Sequence, residues 1–127
     1  MATIEDKIGY NFKNKAYLME ALTHSSFANE RHNKIKCNER MEFLGDAVLE
    51  LTSSEFIYTS NPDMNEGKMT RLRASIVCEP TLAMCARQIH LQEYIMLGKG
   101  EDLTGGRTRD SIISDALEAL IGAIYLD

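Results

Sequence analysis

Apolar residues recur in this chain at intervals of three and four positions from one end to the other. Side chains at these intervals lie on one face of an α-helix, whereas the alternation typical of a half-buried β-strand is missing. Only two prolines, Pro62 and Pro80, interrupt the 127 residues. The sequence therefore predicts an all-α domain of one modest core.

Capping residues and prolines place the helix ends. Asn14 is a good N-cap, Pro80 suits a first helical turn, and Asn61 should end the longest helix because it precedes a proline. The expected helices cover roughly 2–9, 14–23, 38–60, 67–77, 80–90 and 111–125. A polar loop is expected at 28–38, and a glycine-rich loop at 98–106.

Composition excludes several classes of protein. Apolar residues make up 44% and charged residues 26% of the chain, as in soluble globular proteins. No apolar run approaches the roughly 20 residues that span a bilayer, and no secretory signal opens the chain. Cys37, Cys78 and Cys85 show no C-x-x-C spacing, so we expect reduced thiols in a cytoplasmic protein with no membrane partner. Cys78 and Cys85 lie in apolar helical runs, which favour a place in the core.

The net charge of −5 is unusual for a protein that binds nucleic acid. Basic residues nevertheless cluster in three stretches, at 31–40, 68–73 and 99–109. Solvated surface is the simpler explanation of these clusters. Composition therefore permits a polyanionic partner without indicating one.

Acidic residues share one face of the longest predicted helix. Glu39, Glu42 and Asp46 lie within an arc of about 60° at 100° per residue. The expected core residues lie opposite: Met41, Leu44, Val48 and Leu51. Such an acidic face is usually only solvated. Here, however, Phe43 flanks the acids, and no cation follows Glu39 or Glu42 by four residues to relieve the repulsion.

The last helix repeats this arrangement. Asp115 and Glu118 share a face with small residues, and Gly122 inside a helix indicates close packing because it costs about 1 kcal/mol relative to alanine. The expected core stripe is Ile113, Leu117, Leu120, Ile121 and Ile124. If the two helices lie side by side, the converging carboxylates need a cation. Oxygen ligands of high charge select Mg²⁺ or Mn²⁺, which support phosphoryl displacement.

Competing motifs are absent from the sequence. It contains no E-x-x-H, H-E-x-x-H or EF-hand pattern. Gly106-Arg107 stands where a phosphate-binding loop needs Lys-Ser or Lys-Thr. His24 is expected to make a hydrogen bond at a helix end rather than to bind metal.

The segment NERMEFLGDAVL (38–49) resembles the signature of the ribonuclease III family. Three further segments match the family in order: ALTHSSF (21–27), EGKMTRLRASIV (66–77) and GGRTRDSIISDALEALIGAIYLD (105–127). The likeness covers nearly the whole chain.

The resemblance implies a fold and an activity. It implies a ribonuclease III endonuclease domain, an all-α helical bundle that forms a homodimer. Such domains cut double-stranded RNA with Mg²⁺, for which Mn²⁺ can substitute, and leave 5′-phosphate and 3′-hydroxyl ends. Roles in rRNA and mRNA processing are expected. Residues 1–127 would be this catalytic domain, and the basic double-stranded-RNA-binding domain that usually follows it is absent from the chain.

The resemblance also implies roles for individual residues. The metal ligands would be Glu42, Asp46, Asp115 and Glu118, with Asp46 and Glu118 catalytic. Glu39 and Glu66 would assist as further acids, and Phe43 would contact the partner subunit. The residues expected to contact RNA phosphates are Lys68, Arg71, Arg73, Arg107 and Arg109. The alternative is a catalytically silent module of the same fold that only binds RNA or dimerises.

Overall fold

The computed structural model describes residues 2–127 and confirms the all-α fold. Its helices are α1 (Ile4–Ile8), α2 (Lys15–Leu22), α3 (Ser25–Glu30), α4 (Glu39–Ser60), α5 (Glu66–Ile76), α6 (Glu79–Gln88), α7 (Lys99–Leu103) and α8 (Asp110–Leu126). Short 3-10 helices lie at Leu91–Glu93 and Gly106–Thr108. Within residues 2–127 the β-structure amounts to one isolated parallel bridge, between Thr23 and Met96.

The first two helices begin at side-chain caps. The Thr3 hydroxyl accepts a hydrogen bond from the Asp6 N–H, and the Asp6 carboxylate accepts one from the Thr3 N–H. This capping box satisfies donors that the first turn leaves unpaired. Gly9 ends α1 in the left-handed conformation, with φ of 68°. Asn14 caps α2 through the Ala16 N–H, as the sequence predicted.

Helix α3 corrects the prediction of a loop beginning at residue 28. His24 caps this helix, because its Nδ1 accepts a hydrogen bond from the Ser26 N–H at 3.1 Å. The histidine therefore makes the predicted helix-end hydrogen bond. Histidine is not among the preferred N-cap residues, so the start of a new helix at this position could not be predicted from the capping pattern.

Helix α7 corrects the prediction of one long loop at 98–106. The Gly98 N–H donates to the Ser26 hydroxyl at 2.9 Å, and the Lys99 N–H donates to the Glu30 carboxylate. Both acceptors belong to α3, so a distant segment satisfies the first turn of α7. The glycines alone indicated only breaks in regular structure.

Helix α8 lies at the centre of the fold and packs against α2, α4 and α6. Its residues Ala116, Ala119 and Ala123 are fully buried, and Ile113 and Leu120 are among the largest fully buried side chains. The core also draws on α1, α2, α4, α6 and the segments before α2 and α7, with Ile4, Phe12, Leu18, Leu22, Met41, Ala86, Leu91, Ile95 and Leu97. The central place of α8 fixes the position of its acidic residues relative to every neighbour.

Two predictions about the core are wrong. Leu51 is 69% exposed, because the buried face of α4 runs instead through Met41, Gly45, Ser53 and Ile57. Cys78 is only half-buried and Cys85 is exposed on the outer side of α6. All three cysteines are free, as predicted.

None of the helices within residues 2–127 combines the length and the apolar character needed to cross a lipid bilayer.

Candidate metal centre

Two glycines bring α4 and α8 into backbone contact. A Cβ atom added at Gly45 would overlap the main-chain carbonyl oxygen of Glu118. A Cβ atom at Gly122 would lie 2.6 Å from the main-chain oxygen of Met41. The packing role predicted for Gly122 is therefore confirmed, and Gly45 is its counterpart on α4. At such close approach, side chains next to the crossing on the two helices must meet.

Three carboxylates meet beside this crossing. Glu42 of α4 and Asp115 and Glu118 of α8 each offer an oxygen, and these oxygens all lie within 4.8 Å of one another. Asp46 lies one turn after Glu42 and shares a side-chain hydrogen bond with Glu118. The two helices thus bring together the four acids to which the sequence assigned metal binding.

The cluster makes its own ionisation unfavourable. Burial raises the pKa of Glu118 to about 8, with further contributions from the hydrogen bond to Asp46 and from the charges of Asp46, Glu42 and Asp115. Burial and the Asp115, Asp46 and Glu39 charges raise the pKa of Glu42. Burial, followed by the Glu79 charge, raises the pKa of Asp115. Crowded carboxylates respond in this way when no cation compensates them.

The chemistry of the cluster suits a hard divalent cation. Within residues 2–127, no lysine or arginine forms an ion pair with Glu42, Asp46, Asp115 or Glu118. The donors are all carboxylate oxygens, which Mg²⁺ and Mn²⁺ prefer. A divalent ion would neutralise the repulsion that raises these pKa values. The residues therefore fit the metal that the sequence implied.

Helical spacing in the sequence did not place two residues near the cluster. Glu79, at the start of α6, makes the largest charge contribution to the raised pKa of Asp115. His24 also acts on Asp115 in the opposite sense, and burial lowers the pKa of His24 itself. Neither residue shares a helix with the other acids, so helical spacing could not have identified them.

The two acids assigned an assisting role occupy different places. Glu39 lies at the start of α4, and its charge acts on Glu42 and Asp115. Its carboxylate accepts a hydrogen bond from the Cys37 thiol at 3.4 Å. Glu66 instead begins α5 and lines a cavity between α5 and the second half of α4. Of these two acids, Glu39 is the one whose charge acts on the cluster within residues 2–127.

The five basic residues assigned to RNA contact fall into two groups. Lys68 and Arg71 are exposed on α5 and form no ion pair within residues 2–127. The other three arginines are bound to neighbouring segments. Arg73 pairs with Glu50 of α4 at 3.0 Å and donates to the Ser54 hydroxyl at 3.0 Å.

Arg107 and Arg109 hold the loops around α7 together. Arg107 donates to the main-chain oxygens of Gln92 and Ile95, at 2.8 and 2.7 Å, and pairs with Asp102. Arg109 pairs with Glu101 and donates to the main-chain oxygen of Thr104 at 2.8 Å. Their guanidinium groups are therefore already engaged within the fold.

Comparison with known proteins agrees with this geometry. The family model described as Ribonuclease-III-like matches residues 14–127. Ribonuclease 3 of Caldanaerobacter subterraneus subsp. tengcongensis is 56% identical over 124 residues, which is 98% of this chain and 54% of that protein. Ribonuclease 3 of Listeria monocytogenes is 52% identical over 125 residues, 98% of this chain and 55% of that protein. The chain thus spans about half the length of the curated relatives it matches.

Solved structures give the same result. A structure of the nuclease domain of ribonuclease III from Campylobacter jejuni, described for flexibility in a region involved in dimer formation, superposes with a TM-score of 0.90. It is 43% identical, and the match covers 97% of this chain and 82% of that one. A 2.2 Å crystal structure of the same nuclease domain gives a TM-score of 0.88, again at 43% identity, covering 97% and 80% of the two chains. The chain belongs to the ribonuclease-III-like family.

Proposed function

We propose that residues 1–127 form the catalytic domain of a metal-dependent endoribonuclease that hydrolyses double-stranded RNA and leaves 5′-phosphate and 3′-hydroxyl ends. The observation that carries this proposal is the meeting of Glu42, Asp115 and Glu118 beside Asp46 on a ribonuclease-III-like fold. A solvated acidic face would not bring carboxylates from two helices into one partly buried cluster.

Each acid has a role in the proposed reaction. Glu42, Asp46, Asp115 and Glu118 would hold Mg²⁺, or Mn²⁺ in its place. The bound ion would activate water and stabilise charge on the attacking and leaving oxygens. Asp46 and Glu118 share a hydrogen bond, so together they can retain a proton until the cation displaces it. Glu39 adds negative charge at one side of the cluster.

The proposal includes a homodimer in which Phe43 contacts the partner subunit. Phe43 is 81% exposed on α4, and Leu51 and Tyr58 are exposed on the same face of this helix. Leu51, Tyr58 and Met69 line a cavity of about 430 Å³ that could receive an aromatic ring from a second copy. Two metal centres on one symmetric dimer would cut the two strands of a duplex at staggered positions.

Lys68 and Arg71 are the two predicted RNA contacts that we retain as phosphate ligands. Both are exposed and carry charge that no acid neutralises within residues 2–127. Arg73, Arg107 and Arg109 would support the RNA surface indirectly, by holding α5 and the loops around α7 in place.

The proposed function also includes a cellular process and a compartment. We assign the whole protein to rRNA and mRNA processing in the cytoplasm, on the strength of relatives named Ribonuclease 3. The three free cysteines agree with a reducing compartment.

A cleavage assay on a long RNA duplex tests the proposed activity. We expect cleavage in Mg²⁺, none in EDTA, and 5′-phosphate ends. Glu118→Gln should lower the rate roughly 10²- to 10³-fold, because a metal site contributes several kcal/mol to the transition state. Glu93→Gln is a matched control, since Glu93 is an exposed glutamate without an ion pair.

The same assay examines the alternative. Binding of the duplex without cleavage, in the presence of Mg²⁺, would identify the chain as a silent RNA-binding module. The complete set of four acids favours the enzyme.

A further inference from the structure

The segment between α3 and α4 begins with a basic loop, which we define as residues 31–36. It contains Arg31, His32, Lys34 and Lys36 and has no acidic residue. All six residues are exposed. None of them belongs to the set of RNA contacts that the sequence assigned.

The basic loop is held in shape by its own contacts. His32 and Asn33 both adopt left-handed backbone conformations, with φ of 55° and 58°. This conformation is uncommon for residues other than glycine, and asparagine and histidine adopt it more readily than most of them. The Asn33 N–H donates to the Ala28 oxygen at 2.9 Å, and the Arg31 guanidinium lies 3.5 Å from the centre of the Phe27 ring.

The end of the basic loop is anchored to the core. Asn38 is buried, its N–H donates to the Thr23 oxygen at 2.8 Å, and its side-chain amide donates to the Ala21 oxygen at 3.1 Å. Less conformational freedom is therefore lost when the lysines of this loop meet a ligand.

Arg31 pairs with Glu30 at 4.0 Å, so the unpaired charge of the basic loop is that of its two lysines. Lys34 and Lys36 form no ion pair within residues 2–127, whereas Arg73, Arg107 and Arg109 do. Glu20 lines two of the same cavities as Lys36, yet the two do not pair. Lys34 and Lys36 are therefore free to bind an anionic ligand, although the chain as a whole has a net charge of −5.

The basic loop leads into α4, the helix that carries Glu39 and Glu42. Lys36 precedes Glu39 by three residues and Glu42 by six, so a span of at most about 22 Å of chain separates Lys36 from the cluster. An RNA duplex whose scissile phosphate lies at the cluster would extend beyond the cluster on both sides. Its neighbouring phosphates are the anions within reach of the loop.

We propose that Lys34 and Lys36 bind backbone phosphates of the RNA duplex beside the metal centre. The inference rests on the proposed function, since it takes the duplex as the ligand of that centre. The lysines position the backbone without reading sequence, because phosphates carry no base information. They also offset the repulsion between the acidic cluster and the approaching RNA.

Duplex binding in EDTA, where no cleavage occurs, tests this inference. Each phosphate contact that is lost should reduce the salt dependence of binding by about one counterion. For Lys34→Gln/Lys36→Gln we expect roughly tenfold weaker binding at low salt and a log–log salt slope that is less negative by about 1 to 2.

Lys7→Gln/Lys13→Gln is the matched control, because it removes the same charge from two exposed lysines. Lys7 lies on α1 and Lys13 precedes α2, so neither lysine belongs to the segment that leads into α4. This control variant should bind the duplex like the unaltered chain. Equal dissociation constants and equal salt slopes for the two double variants would overturn the role of the basic loop.

Cleavage of the same duplex by the unaltered chain in Mg²⁺ separates this inference from the proposed function. Cleavage together with equal binding by both double variants overturns the role of the loop alone. Absence of cleavage, with binding weakened only in the loop variant, overturns the endonuclease and leaves the loop as an RNA contact.

Discussion

At the scale of single residues, Glu118 couples the ionisation of the carboxylate cluster to the stability of the fold. Its carboxyl group has a pKa of about 8 in the folded chain and an ordinary value of 4.5. Between pH 4.5 and about pH 8, the Glu118 carboxyl group keeps its proton in the folded state and loses it in the unfolded state. The stability that Glu118 contributes is therefore fully present below pH 4.5 and is lost as pH rises towards 8.

Thermal unfolding should show this loss of stability with rising pH. In EDTA the melting temperature should fall between pH 5 and pH 8, and Glu118→Gln should flatten that fall because it has no proton to lose. Saturating Mg²⁺ should raise the melting temperature most at the higher pH, since the ion binds the deprotonated cluster. Glu93→Gln should melt like the unaltered chain. An unchanged slope in Glu118→Gln would contradict this role of Glu118.

At the scale of elements, the crossing of α4 and α8 determines the site. Gly45→Ala should destabilise the chain by roughly 3 kcal/mol, because the added methyl group would separate the helices or distort them. Gly100→Ala is the control, since its Cβ would meet no atom within 4 Å, and we expect a change of at most about 1 kcal/mol. Urea unfolding measures both, and equal stability of the two variants would contradict the tight crossing.

Some of the helices could be predicted from the sequence and others could not. Periodicity placed α4 and α8 to within about a residue, because each buries an apolar face. Helices α3 and α7 were missed because their caps are a histidine and side chains from a distant segment. Acids on α4 and α8 could be grouped by helical spacing. Glu79 could not, because only tertiary packing brings α6 to the cluster.

At the scale of the whole molecule, the exposed face of α4 predicts self-association. Phe43→Ala should weaken the dimer roughly 30-fold, which corresponds to about 2 kcal/mol for an aromatic residue central to an interface. Phe56→Ala is the control, because Phe56 is also exposed on α4 but points about 140° away from Phe43. Sedimentation equilibrium would measure both variants. If Phe43→Ala and Phe56→Ala formed equally strong dimers, Phe43 would not lie in the interface.

The backbone contact at Gly45 and Gly122 would also limit how far apart the carboxylates of the proposed metal site can move. Mg²⁺ binds oxygen at about 2.0–2.1 Å, whereas Ca²⁺ needs about 2.3–2.6 Å and more ligands. The carboxylates of α4 and α8 could suit the larger ion by rotating their side chains or by a separation of the two main chains, and the close crossing resists the separation. Under the proposed function, discrimination between the two ions would therefore depend in part on helix packing, and loosening the crossing would alter it while every carboxylate is retained.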